Sequence, residues 1–180
     1  GELRDRAHAY QRLRELYEQD ESAQVRGVIA RALGAFYWYE TREFVEELLE
    51  DESTRIRANV LYSLTELNAR WKWEFRDSAR AMLFDSSLRV QIEAARFLWS
   101  SGDEGERQSI RALTTSLLGS RNANKRSAGL YLTGVLQPDN WELILVRNLS
   151  GDAPEQVFRK SMETILRYAS EATKLQALEV

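Results

Sequence analysis

Asp20-Glu-Ser-Ala-Gln-Val-Arg26, with the run Gly27-Val-Ile-Ala-Arg-Ala-Leu33 behind it, is the stretch that decides how this chain folds. It returns as Asp51-Glu-Ser-Thr-Arg-Ile-Arg57 and as Asp85-Ser-Ser-Leu-Arg-Val-Gln91. Weaker copies are Ser120-Arg-Asn-Ala-Asn-Lys-Arg126 and Asp152-Ala-Pro-Glu-Gln-Val-Phe158. Successive starts lie 31, 34, 35 and 32 residues apart. That period is far longer than a heptad and fits a unit of two helices.

Both sides of each copy have helical periodicity. Val25, Val28, Ile29, Ala32, Leu33 and Phe36 recur at three- and four-residue steps, as do Ile56, Val60, Ser63, Leu64 and Leu67. Ahead of the motifs lie Phe44, Val45, Leu48 and Leu49, then Ala79, Met82 and Leu83, then Ile110, Leu113, Leu117 and Leu118. Ser22, Ser53, Ser87 and Asn122 stand where a second helix would begin, and their side-chain oxygens suit an N-cap. Pro154 fits a first helical turn. Gly34, Gly102, Gly119 and Gly134 are expected near helix ends, where a left-handed residue is often wanted. No segment alternates with a period of two. The expectation is an all-α chain.

Composition narrows the chemistry. The 180 residues hold 25 Lys+Arg, 28 Asp+Glu, one His and no Cys. Disulfides, thiolate metal sites and cysteine nucleophiles are excluded, and one imidazole cannot build a two-histidine site. A net charge of −3 argues against a protein devoted to gripping phosphate backbones. No apolar run approaches the roughly 20 residues of a membrane span, and the start is not signal-like. The expected location is therefore cytoplasmic, without membrane insertion.

The recurring Asp-x-x-x-x-(Val/Ile)-Arg, followed by small and apolar residues and then Leu, resembles the signature of HEAT repeats. Its clearest copies are Val25 to Gly34 and Ile56 to Leu64, and the variety is similar to short bacterial repeats found as appendages of larger proteins. The third copy has Gln91 in place of Arg, the fourth has Ser120 and Lys125, and the fifth has Phe158. The resemblance implies an α-solenoid, a right-handed superhelix of about five helix pairs plus a terminal helix, and implies no activity by itself. Repeats are expected at roughly 2–37, 38–70, 71–102, 103–137 and 138–170, with a terminal helix at 171–180. All belong to one domain over 1–180. The helix-like ending and Gly1, as a tag remnant, suggest a domain cut from a longer transporter or signalling protein.

Within this frame Asp20, Arg26, Asp51, Arg57, Asp85, Arg126 and Asp152 are expected to form a structural ladder along the turns. Exposed pairs of this kind contribute under about 1 kcal/mol each and chiefly orient a turn.

Catalytic readings find little support. His8 sits in the helical run Arg6-Ala-His8-Ala-Tyr10, where a surface position is the simpler account. Glu46-Glu47 and Asp51-Glu52 are adjacent in sequence and face different ways on a helix. There is no phosphate loop, His-Glu-x-x-His or calcium loop, so no cofactor or metal is expected. The His-Glu dyads of HEAT-like deoxyhypusine hydroxylases are absent from the sequence. The alkylpurine DNA glycosylases of HEAT-like fold use Trp, Asp and Arg on a basic surface, and five Trp are present here. The negative net charge and the acidic runs Glu43–Asp51 and Asp103–Glu106 weigh against that alternative. A spacer domain without a ligand is the other alternative.

The expected function is a non-catalytic scaffold or regulatory module that binds another protein or another domain of its own chain. With the motif's Val as position one, position seven reads Arg31, Tyr62, Arg96, Tyr131 and Glu163. Position three reads Gly27, Ala58, Ile92, Ser127 and Arg159. The resemblance puts second helices on the concave side, so Arg31, Tyr62, Arg96 and Tyr131 would form an inner column. Tyr and Arg are enriched at binding hot spots, and a solvated face with two chance Tyr residues weighs equally. Trp38, Trp71, Trp73 and Trp99 fall near ends of second helices and form a candidate edge, for packing between repeats or for a partner. Trp141 is expected in the core.

Overall fold

A computed structural model describes residues 2–35, 42–65, 73–149 and 153–179. Phe36, Trp38, Leu67, Trp71 and Asp152 lie outside the described residues. Those described form eleven α-helices, one 3₁₀ turn and no strand, so the chain is all-α. Two compact units divide it, Gly1–Gly102 and Asp103–Val180.

Unit 1 contains α1 (Glu2–Gln19), α2 (Ala23–Ala35), α3 (Arg42–Leu49) and α4 (Thr54–Thr65), then a 3₁₀ turn (Trp73–Phe75) running into α5 (Arg76–Met82), and α6 (Leu88–Ser101). Short turns make α1/α2, α3/α4 and α5/α6 packed pairs, and α4 lies between α2 and α6. The core takes Phe44, Val45, Leu48 and Leu49 from α3, and Ile56, Val60, Leu61 and Leu64 from α4. Val90, Ala94, Phe97 and Leu98 contribute from α6. This is solenoid architecture, each helix too narrow to bury its stripe except against a neighbouring pair.

Unit 2 contains α7 (Glu104–Leu118), α8 (Ala123–Leu136), α9 (Trp141–Arg147), α10 (Glu155–Tyr168) and α11 (Glu171–Ala177). Its pairs are α7/α8 and α9/α10, with α8 against α10 and α11 against α10 and α9. Leu130, Leu145, Leu149, Val157, Ile165, Ala169 and Ala177 form the core, and Trp141 packs against it half-buried.

Several local expectations change. Val25 and Val28 share the helical period of the stripe but are 42% and 64% exposed, because α2 buries Gly27, Ile29, Ala30 and Leu33 instead. Asn122 caps α8, accepting from the N–H groups of Asn124 and Lys125 at 2.9 and 3.2 Å, whereas the Ser87 side chain makes no capping bond. Pro154 is the N-cap of α10, one place outside its first turn. Gly134 lies in the last turn of α8, near the helix end as expected, but is not its left-handed residue; a Cβ there would strike Thr164 Cγ2 on α10. The left-handed residue ending α8 is Gln137, at φ 47°.

Candidate interaction surface

The ladder is local before it is long-range. In each motif of unit 1 the Asp side chain turns back on its own loop, taking the N–H two residues on. Asp20 accepts from Ser22 at 2.8 Å, and Asp51 and Asp85 accept from Ser53 and Ser87 at 2.7 Å. The residue six places on closes the same loop from the other side. Arg26 Nη1 donates to the carbonyls of Asp20 and Glu21, and Arg57 Nη1 to those of Asp51 and Glu52. Gln91 Nε2 reaches the carbonyl of Asp85 at 2.6 Å, so the substituted third copy keeps the bond that matters to the turn.

Two contacts then join successive repeats. Arg57 donates through Nε and Nη2 to both carboxylate oxygens of Asp85 at 2.9 Å, a two-pronged pair with both side chains largely buried. Burial raises the Asp85 carboxyl, but the hydrogen bonds from Arg57 and Ser87 outweigh it and hold it below its ordinary range. Tyr17 of α1 donates its hydroxyl to Asp51 Oδ2 at 2.7 Å, and burial first and that bond second push the phenol upward. In unit 2 Arg126 donates to the side-chain oxygen of Asn148 at 3.3 Å.

Position seven of the second helices has a different character. Arg31 of α2 is exposed and Tyr62 of α4 half-buried. The Arg31 guanidinium carbon sits 4.2 Å from the Tyr62 ring centroid, and that of Arg96, from α6, sits 5.2 Å away. One ring therefore carries a cation from each flanking helix. Arg96 Nη1 also donates to Glu93 Oε2 at 2.7 Å, and Glu93 is only 9% exposed. Burial raises the Glu93 carboxyl against the pull of Arg96, Arg89 and Arg31. Tyr131 of α8 is half-buried at the same position in unit 2, and Glu163 of α10 is exposed and paired with Lys160.

Position three is a packing position in three of the five motifs, while Ile92 is half-buried and Arg159 of α10 exposed. Gly27 and Ala58 are buried, as is Ser127 in unit 2. An added Cβ at Gly27 would lie 3.1 Å from Arg55 and Asn59 side-chain atoms. The close approach is tied by Asn59 Nδ2, donating to the Gly27 carbonyl at 2.6 Å, and by Ser63 Oγ, donating to that of Arg31 at 2.6 Å. Arg89 donates to Asn59 Oδ1 at 2.7 Å. Sequence reasoning missed Asn59, Ser63, Arg89 and Glu93. The available signal was polar residues recurring at positions zero, four and eight of otherwise apolar helices.

The aromatic edge is uneven. Trp73 is 68% exposed and opens the 3₁₀ turn of the third pair rather than ending a second helix; the Arg76 guanidinium lies 4.3 Å from its ring. Trp99 is half-buried in the last turn of α6. His8 is exposed on α1. No helix among the described residues is long and apolar enough to cross a membrane.

Residues 10–70 match a family model described as HEAT repeats. No curated protein matches the chain.

Proposed function

We propose that this chain, in which residues 10–70 are of the HEAT-repeat family, is a non-catalytic interaction module working in the cytoplasm. It binds another protein, or another domain of its own chain, on the face carrying Arg31, Tyr62 and Arg96, and Tyr131 offers the same chemistry in unit 2. HEAT repeats are generally protein-interaction scaffolds. The observation that carries the reading is the Tyr62 ring with a guanidinium from each neighbouring helix. Stacking holds those cations in fixed orientations, so a partner meets donors already ordered and loses less side-chain entropy on docking.

The test replaces Arg31 and Tyr62 together by Ala. Arg96 is left alone because removing it would strand the buried Glu93 carboxylate. Capture of partners from a lysate of the source organism should fall at least tenfold for the variant, with the melting temperature shifted by only a few degrees. Undiminished capture by a folded variant would end this assignment.

A further inference from the structure

The charge on the open face of α2, α4 and α6 has one sign. Arg55 and Arg89, at position zero, are exposed, as is Arg31 at position seven. Arg96 completes the set, and the acid among them, Glu93, is buried and already paired with Arg96. Three exposed arginines thus stand on one face of a chain whose net charge is −3, and Arg96, its side chain 15% exposed, continues the row while sharing its charge with Glu93. Arg55 and Tyr62 are seven residues apart on α4, and so are Arg89 and Arg96 on α6. Two turns bring each pair back to nearly the same direction, about 10 Å apart along the helix. The face therefore presents two cationic rows: Arg31, Tyr62 and Arg96 in one, Arg55 and Arg89 in the other.

We propose that this double row is a docking site for an extended acidic peptide segment of a partner protein, a refinement that rests on the interaction-module reading above. The arrangement suits a strand laid across the helices between the rows. Successive side chains of an extended chain point to opposite sides, and alternate ones on one side are about 7 Å apart. The Arg31 and Arg96 guanidinium carbons, both close to the Tyr62 centroid, lie within about 10 Å of each other, a span that three extended residues cover. Carboxylates at alternate positions would meet Arg31 and Arg96, and those between them Arg55 and Arg89. Guanidinium forks bind carboxylates through paired hydrogen bonds, and the rim placement of Arg55 and Arg89 steers an acidic chain inward.

The experiment follows fluorescence anisotropy of a labelled Gly-Ser-(Glu)₆-Ser-Gly peptide with the full chain at 50 mM salt. The (Gln)₆ counterpart and a twelve-nucleotide single-stranded DNA serve as competing probes. The glutamate peptide should bind at least tenfold more tightly than either and weaken as salt rises. Arg55→Ala with Arg89→Ala should cost a further tenfold or more with the helical circular dichroism unchanged, and Arg55→Lys with Arg89→Lys should recover much of it. Equal binding of the glutamine peptide, tighter binding of the DNA, or indifference to the Arg55 and Arg89 changes would overturn the proposal. If the peptides fail while capture of partners still depends on Arg31 and Tyr62, the module stands and the acidic-peptide chemistry falls.

Discussion

In unit 1 the second helices are tied by charged and polar side chains at several levels, whereas in unit 2 α8 and α10 share a neutral tie, Gln156 Nε2 donating to Asn124 Oδ1 at 2.6 Å, and a close approach at Gly134. Across α2, α4 and α6 run the Asn59 and Ser63 bonds to neighbouring carbonyls, the two-pronged Arg57–Asp85 pair and the cation–Tyr62–cation stack. In unit 2 Arg126, the counterpart of Arg57, donates to a neutral amide at 3.3 Å, and Asp152, the counterpart of Asp85, lies outside the described residues. Close approach adds to the amide tie: Gly134 of α8 leaves no room for a Cβ beside Thr164 of α10. Within the pairs, Gly129 of α8 would place one 2.9 Å from the Leu118 N atom of α7, and buried Ser161 of α10 donates to the Leu145 carbonyl of α9 at 2.6 Å. The same two-helix repeat can thus be cemented by charge that reaches across or by backbones that approach. In unit 1 the first leaves a ring flanked by two cations on the face of the second helices.

The sharpest way to break unit 1 is Arg57→Ala. It removes both prongs from Asp85 and the donor to two turn carbonyls, and should cost about 2–4 kcal/mol in denaturant unfolding. The wild-type pair also fixes a pH dependence. A carboxyl held low in the folded state contributes stability above its unfolded value, near pH 4, and loses it as pH falls through the still lower folded value. Arg57→Ala should abolish that acid-range slope and move the Asp85 titration, followed by carboxyl NMR, upward, since burial then acts with less opposition. An Asp85 that still titrates low would show that the turn N–H alone holds it.

Gly134→Ala tests the other cement. Ala is the better helix former by about 1 kcal/mol, so a gain in stability would show that α8 and α10 separate freely. The stiff, β-branched Thr164, whose hydroxyl donates to the Lys160 carbonyl at 2.7 Å, makes the clash dominate. A net loss of about 1–3 kcal/mol is expected, with faster amide exchange in α8 and α10. The smallest effect belongs to Arg126→Ala. One long bond to an amide oxygen should contribute under about 1 kcal/mol, against several for Arg57 at the equivalent position. Equal losses at the two positions would erase the contrast between the units.

The repeat period and the 3.6-residue spacing of Ile56, Val60 and Leu64 were enough to read an all-α chain of helix pairs, because burying one stripe of a helix imposes a local pattern. The motif marked Asp51 and Arg57 as turn residues, but their partners are backbone groups of their own turn, where the expectation was a ladder of exposed charge pairs. Counting positions also picked out Arg31, Tyr62 and Arg96, since helices that stack side by side turn a shared position into neighbours. What the sequence left open depended on distances between helices. Val25 and Val28 keep the periodicity of buried residues yet face out, because which flank of α2 is covered depends on where α1 and α4 lie. Gly134 lies near a helix end, as expected, but serves as a point of contact rather than as a left-handed residue, for nothing in its neighbours announces Thr164 thirty residues away. That Asp85 answers Arg57, that Glu93 is buried beneath Arg96, and that one tyrosine ring gathers two cations were decided by tertiary structure alone. Pattern records which face a residue takes on its own helix, and only packing settles which side chain it meets there.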